Sequence, residues 1–286
     1  MGQKTFYGVT IGILMVKTHF RRFPGDIGHA GTWPFPVQYR IVEDAVPARM
    51  TDLHNAGLLE PFKRAALELV EAGVDGITTT CGFLSIYQRE LADFCGVPVA
   101  TSSLLQVPMV QRLIPSGKRV GILTYDGKAL NGPYLDAVGI ARDTPVVGMP
   151  IDSEFVRSIK QGDDTVAYEV LRAEVLATAE QLVRDHGDIG AIVAECTNLS
   201  PFSAAIADHV GLPVFDAVSL VNWFQAGLRP RRYPQDWRPT GRRGATSSVC
   251  RPRHTTTDHV IGYQGRGGSG GGTSVPTAST VIYSVI

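Results

Sequence analysis

Two cysteines occupy matching positions in two ungapped copies of one segment. Residues 74–99 align with residues 189–214 at a constant offset of 115, which places Cys81 on Cys196, Leu84 on Leu199, Ser85 on Ser200, Gly96 on Gly211 and Pro98 on Pro213. In each copy an apolar run, GITTT or AIVAE, ends at the cysteine and a helix-like stretch follows. Duplicated half-domains can set two thiols on opposite walls of one cleft. Such a pair can remove a proton from a carbon centre and return one to its other face. A cysteine at a strand end just before a helix receives backbone N–H groups and the positive end of the helix dipole. Both favour the thiolate, so a thiol pKa lowered toward neutrality is expected. The flanking residues are polar: Thr78, Thr79 and Thr80 lead into Cys81, while Glu195, Thr197 and Asn198 surround Cys196. Their hydroxyls and amide, with the free N–H groups of the turn at Gly82, suit a carboxylate or an enolate oxygen.

The elements that must hold these turns alternate in type. Strands are expected at 7–16, 74–80, 97–101, 119–124, 146–149, 189–194 and 212–215. Helical periodicity runs through 58–72, which stops at Gly73, and through 164–186, with Asp163 or Asp164 as cap and Gly187 as stop. Short apolar strands alternating with amphipathic helices predict an α/β fold with parallel sheets. IGIL at 11–14 resembles VGIL at 120–123, each opening one half of the chain. The expected architecture is therefore two pseudo-symmetric α/β lobes with the site in the cleft between them. The first lobe takes 1–117 plus 215–233 and the second takes 118–214. Ligands of such sheets bind beyond the carboxyl ends of the strands, where both cysteines sit.

Composition narrows the function. The chain has 286 residues, 44% of them hydrophobic, and a formal net charge of zero, which offers nothing to a nucleic acid or an acidic membrane. No segment has transmembrane length, the first residues lack a cleavage pattern, and four scattered cysteines resemble neither a disulfide framework nor a zinc site. A cytoplasmic protein with reduced thiols is expected, without metal or cofactor. Residues 234–286 contain no Leu, Lys, Glu, Met or Phe, and carry six Arg against two Asp. They read as a disordered low-complexity tail, either an out-of-frame extension or, less simply, a basic arm for a polyanion.

TTTCGFLS (78–85) and AECTNLSP (194–201) resemble the paired cysteine motifs of the aspartate/glutamate/hydantoin racemase superfamily. The similarity covers about residues 8–228. It implies a cofactor-independent racemase or epimerase of an amino acid or derivative such as a hydantoin, with Cys81 and Cys196 as the two acid/base groups. It also implies Thr80, Gly82, Thr197 and Asn198 as binders of the substrate carboxylate or enolate, and a homodimer. Gly82-Phe83 stands where amino-acid racemases carry Asn-Thr, and GFLSIYQ is reminiscent of the arylmalonate decarboxylase branch. Decarboxylation of a substituted malonate, maleate cis–trans isomerisation and non-catalytic carboxylate binding are the alternatives.

Other residues enter with less weight. The turn-rich segment 20–40 has the length of a lid or binding loop. Within it, Asp26 occupies the region where the family places a polar residue near the substrate amino group. Thr124 and Tyr125 end the strand opening the second lobe and are expected to face the cleft. Arg40 and Arg49 read as solvated surface, Cys95 as a small buried hydrophobe, and His54, His186 and His209 as structural.

Overall fold

A computed structural model describes residues 7–51 and 57–233. His54, Cys250 and the tail 234–286 lie outside these. Among the described residues eight strands form two four-stranded parallel sheets. The first holds β1 (Ile11–Val16), β2 (Val37–Val42), β3 (Gly76–Thr79) and β4 (Val99–Ala100) in the order β2-β1-β3-β4. The second holds β5 (Arg119–Thr124), β6 (Val146–Gly148), β7 (Ile189–Ala194) and β8 (Val214–Phe215) in the order β6-β5-β7-β8. The two orders are the same, so the internal repeat of the sequence is a repeat of topology. The fold is α/β with two lobes, each a parallel sheet flanked by helices.

The central strands are buried on both faces, as parallel sheets require. Ile11, Ile13, Leu14, Ile77, Val120, Ile122, Ala191, Ile192 and Val193 are all fully buried. The helix Leu59–Ala72 covers the first sheet through Phe62, Ala65, Ala66 and Leu69, and it ends at Gly73 with φ 92°, a left-handed conformation suited to glycine. In the second lobe the helix Tyr168–Asp185 plays the same part with Leu171, Val175, Ala179 and Leu182. Its N-cap is Ala167, not Asp163 or Asp164; the Asp163 carboxylate instead closes a turn on the Thr165 amide and hydroxyl. After β8 the helix Ala217–Leu228 packs on the first sheet, where Ala217 and Val221 join Ile11 and Ile13.

The segment 20–40 is not all loop. Its last residues enter β2, an edge strand whose residues are half-buried or exposed except for Val42. An edge strand with little burial carries little hydrophobic signal, which is why it reads as a turn-rich stretch. Ile27 and Trp33 anchor the rest of the segment beneath β1, and the Trp33 indole N–H and Tyr39 hydroxyl both bond the Ile27 carbonyl. Among the described residues no helix is long and apolar enough to cross a membrane.

Candidate active site

Both cysteines leave the carboxyl ends of the third strand of their sheets, β3 and β7. Each is followed by a 3-10 turn, Gly82–Tyr87 or Thr197–Phe202, and only then by an α-helix, Gln88–Cys95 or Ser203–Val210. The turns are tied together across the lobes. The Thr197 hydroxyl donates to the Thr80 carbonyl at 2.8 Å, the Ser103 hydroxyl to the Ala194 carbonyl at 2.6 Å, and the Ser85 hydroxyl to the Tyr134 carbonyl at 3.2 Å.

The cysteines share a cavity with about 520 Å³ of empty space, its open mouth included. Its polar lining includes Thr80, Cys81, Gly82, Glu195, Cys196, Thr197 and Asn198, with Arg22 as the one cationic lining side chain among the described residues. Its apolar wall includes Phe20, Met50, Phe83, Tyr125 and Ile159. Among the described residues no cluster of His, Cys, Asp and Glu could hold a metal ion.

The remaining expected residues fall differently. Thr124 is fully buried and does not line the cavity; its hydroxyl donates to Glu195 Oε2 at 2.5 Å. Asp26 is buried behind the wall. It accepts from Arg22 Nη1 at 2.6 Å, from the Gly28 amide at 2.7 Å and, through Oδ2, from the Asn198 side-chain amide at 2.7 Å. The Asn198 Oδ1 in turn accepts from the Cys196 thiol at 3.6 Å. A chain of contacts therefore runs Arg22–Asp26–Asn198–Cys196. Thr80 Oγ1 accepts from the Val16 amide at 3.0 Å. Arg40 and Arg49 stand outside the cavity.

The electrostatics correct one expectation. Neither thiol is poised near neutrality. Burial, and next the Glu195 carboxyl, push both Cys81 and Cys196 up. The backbone amides of Phe83 and Leu84 for Cys81, and of Asn198 for Cys196, pull the other way and do not overcome the loss of water. Tyr125 is raised by burial, then by Cys196.

Glu195, one of the polar residues flanking Cys196 in the sequence, has a larger part in the folded site. It has no exposed surface, Thr124 holds one of its oxygens, and Oε1 has no hydrogen-bond partner. Burial pushes its carboxyl up to about 7 against the opposing bonds from Thr124 and the Tyr125 amide. A Cβ at position 82 would collide with Glu195 Oε1 and with its main-chain oxygen, so glycine alone fits there. The signal was present as a glycine in place of Asn in the first motif and an acid closing an apolar strand in the second.

No family model matches the chain. Over 244 residues it is 31% identical to a dimethylsulfoniopropionate lyase of Durusdinium sp. clade D, covering 80% of this chain and 78% of that protein. The chain belongs to the dimethylsulfoniopropionate lyase family. Dimethylsulfoniopropionate lyase 6 of Emiliania huxleyi (strain CCMP1516) is 29% identical over 246 residues, of which this chain spans 62% of the relative's length. The fold of this chain is shared with arylmalonate decarboxylase and with allantoin racemase. A glycine-to-cysteine mutant of arylmalonate decarboxylase superposes with a TM-score of 0.55 at 16% identity, covering 77% of this chain and 92% of that one. Allantoin racemase from Pseudomonas fluorescens gives 0.50 at 14% identity, covering 77% and 90%. The resemblance to the racemase superfamily therefore holds for the fold. The sequence relatives of this lyase-family chain are named lyases, not isomerases, and carbon–sulfur cleavage was not among the activities expected from the motifs.

Proposed function

We propose that this protein cleaves dimethylsulfoniopropionate to dimethyl sulfide and acrylate, with the cysteine pair as the acid/base apparatus. The 31% identity to a named lyase over 78% of its length carries the reading, and the site chemistry supports it. The substrate has a sulfonium leaving group β to a carboxylate. A thiolate removes the proton α to the carboxylate, the C–H electron pair becomes the double bond, and the C–S pair departs with dimethyl sulfide. One proton and one acrylate remain for each sulfide released.

The cavity matches both ends of that substrate. Arg22 offers a guanidinium for the carboxylate, its charge partly answered by Asp26 and its Nη2 bonded to Thr18. Thr80 and Asn198 line the same cavity as Arg22. Phe20, Phe83 and Tyr125 present aromatic surface to a sulfonium cation. The cation also addresses the raised thiols: positive charge entering beside Cys81 and Cys196 favours their thiolates, so substrate binding generates its own base.

The test is product analysis. Purified protein with dimethylsulfoniopropionate should release dimethyl sulfide into the headspace and acrylate into solution in equal amounts. A second reading, racemisation of a carbon acid, is favoured by the matched thiols, one from each lobe. It predicts deuterium incorporation at the α-position of an amino acid or hydantoin in D2O without release of sulfide, and that pair of results would displace the lyase reading.

A further inference from the structure

Elimination differs from racemisation in its proton balance. A racemase returns a proton to carbon in each turnover. An eliminase keeps the one it removes, and its thiol must be deprotonated before the next cycle. Among the described residues one carboxylate lines the cavity. Glu195 immediately precedes Cys196 and lines the cavity with both thiols. Its charge acts on Cys81 as well as on Cys196. It is fully buried, and its Oε1 is unpartnered. A buried polar atom without a partner is costly and calls for a cause. The space that Oε1 occupies exists because residue 82, beside Cys81, has no side chain.

We propose that Glu195 is the proton-exchange group of this site, receiving from a cysteine thiol the proton taken from the substrate and passing it to solvent. The proposal rests on the elimination reading. The cycle balances: the thiolate gains the α-proton, the thiol gives it to the Glu195 carboxylate, and the carboxylic acid loses it to water that re-enters the cavity it lines as the products leave. Among the described residues the other titratable groups near the pair include Tyr125, raised by burial and then by Cys196, and Asp26, which is paired with Arg22. A carboxyl pushed up to about 7 can both accept and release a proton near neutral pH. Glu195 acts through the cysteines, so it is a positioning residue and not itself in contact with the reacting carbon.

Glu195→Gln keeps the shape and the acceptor for Thr124 but cannot take a proton. Without substrate, alkylation of Cys81 and Cys196 by iodoacetamide, followed by peptide mass spectrometry from pH 5 to 10, should show the thiolates forming at lower pH in the variant. Removing a neighbouring negative charge worth one pKa unit makes alkylation about tenfold faster at pH 8. With substrate, kcat should fall by roughly 100-fold and recover as imidazole is added. Glu195→Asp should retain turnover that needs no added base. Identical alkylation profiles in wild type and Glu195→Gln would overturn the proposal, as would full buffer-independent turnover in Glu195→Gln. A wild-type protein that releases no dimethyl sulfide overturns the elimination reading, and the alkylation profiles still decide whether Glu195 couples to the thiols.

Discussion

Thr197, the residue after Cys196, donates its hydroxyl to the main-chain carbonyl of Thr80, the residue before Cys81, at 2.8 Å. One hydrogen bond thus joins the two cysteine turns, and both residues are buried. Thr197→Val keeps the shape and leaves the Thr80 carbonyl unpaired, a loss of roughly 1–3 kcal/mol. Urea unfolding should register that loss. Turnover should fall further than stability predicts, because the spacing of the thiols is no longer held, while Thr197→Ser should behave as wild type on both measures.

Gly82 and Glu195 are a second coupled pair. Gly82→Ala drives a methyl group into the Glu195 carboxyl and main chain. Overpacking of this kind costs about 1–3 kcal/mol, and here the backbone oxygen cannot swing aside. The denaturation midpoint should drop, and truncating the side chain in Gly82→Ala/Glu195→Ala should restore only part of it.

The raised Glu195 carboxyl makes stability depend on pH with a definite sign. Between its ordinary value of 4.5 and about 7 the folded state holds a proton that the unfolded chain has released. Stability from this group is therefore complete below pH 4.5, declines as pH rises to 7, and is flat above until the thiols titrate. The span corresponds to about 3 kcal/mol. Glu195→Gln should remove that slope, so the variant should gain on wild type from pH 5 to pH 8. Thermal unfolding across that range checks it, and parallel curves for the two proteins would contradict it.

Asp26 is held by Arg22, Gly28 and Asn198, and its loss strands a largely buried guanidinium. Asp26→Ala should destabilise by roughly 3 kcal/mol. On the proposed reaction it should also raise KM more than it lowers kcat, since Arg22 and Asn198 lose their orientation. A change confined to kcat would argue against Arg22 as the carboxylate partner.

Much of this arrangement was legible before any coordinates. Strands 119–124 and 189–194 match β5 and β7 residue for residue, because strands buried on both faces are unbroken apolar runs. The repeat that paired Cys81 with Cys196 reappears as two sheets of one topology, and its matched glycines, Gly96 and Gly211, both cap helices in the left-handed conformation. What escaped is explained by burial and by chemistry. β2 lies at an edge, where half-exposed residues blur the pattern. Glu195 reads only as a polar neighbour of Cys196, and its packing against Gly82 needs the fold. Arg22 sits among turn residues, and only the folded segment brings it to the cavity. The leaving group is not written in the cysteines at all. Abstraction of a proton α to a carboxylate ends in inversion, decarboxylation or elimination according to what the substrate carries.

The central claim is that chemistry at the substrate carbon runs through Cys81 and Cys196. The most direct measurement is headspace dimethyl sulfide from dimethylsulfoniopropionate, comparing wild type with Cys81→Ala and Cys196→Ala at matched circular dichroism. The expected result is a loss of at least about 100-fold in the variant lacking the abstracting thiol, in keeping with the typical worth of an acid/base group, and a clear deficit in the other. Wild-type rates of sulfide release from both folded variants would contradict it.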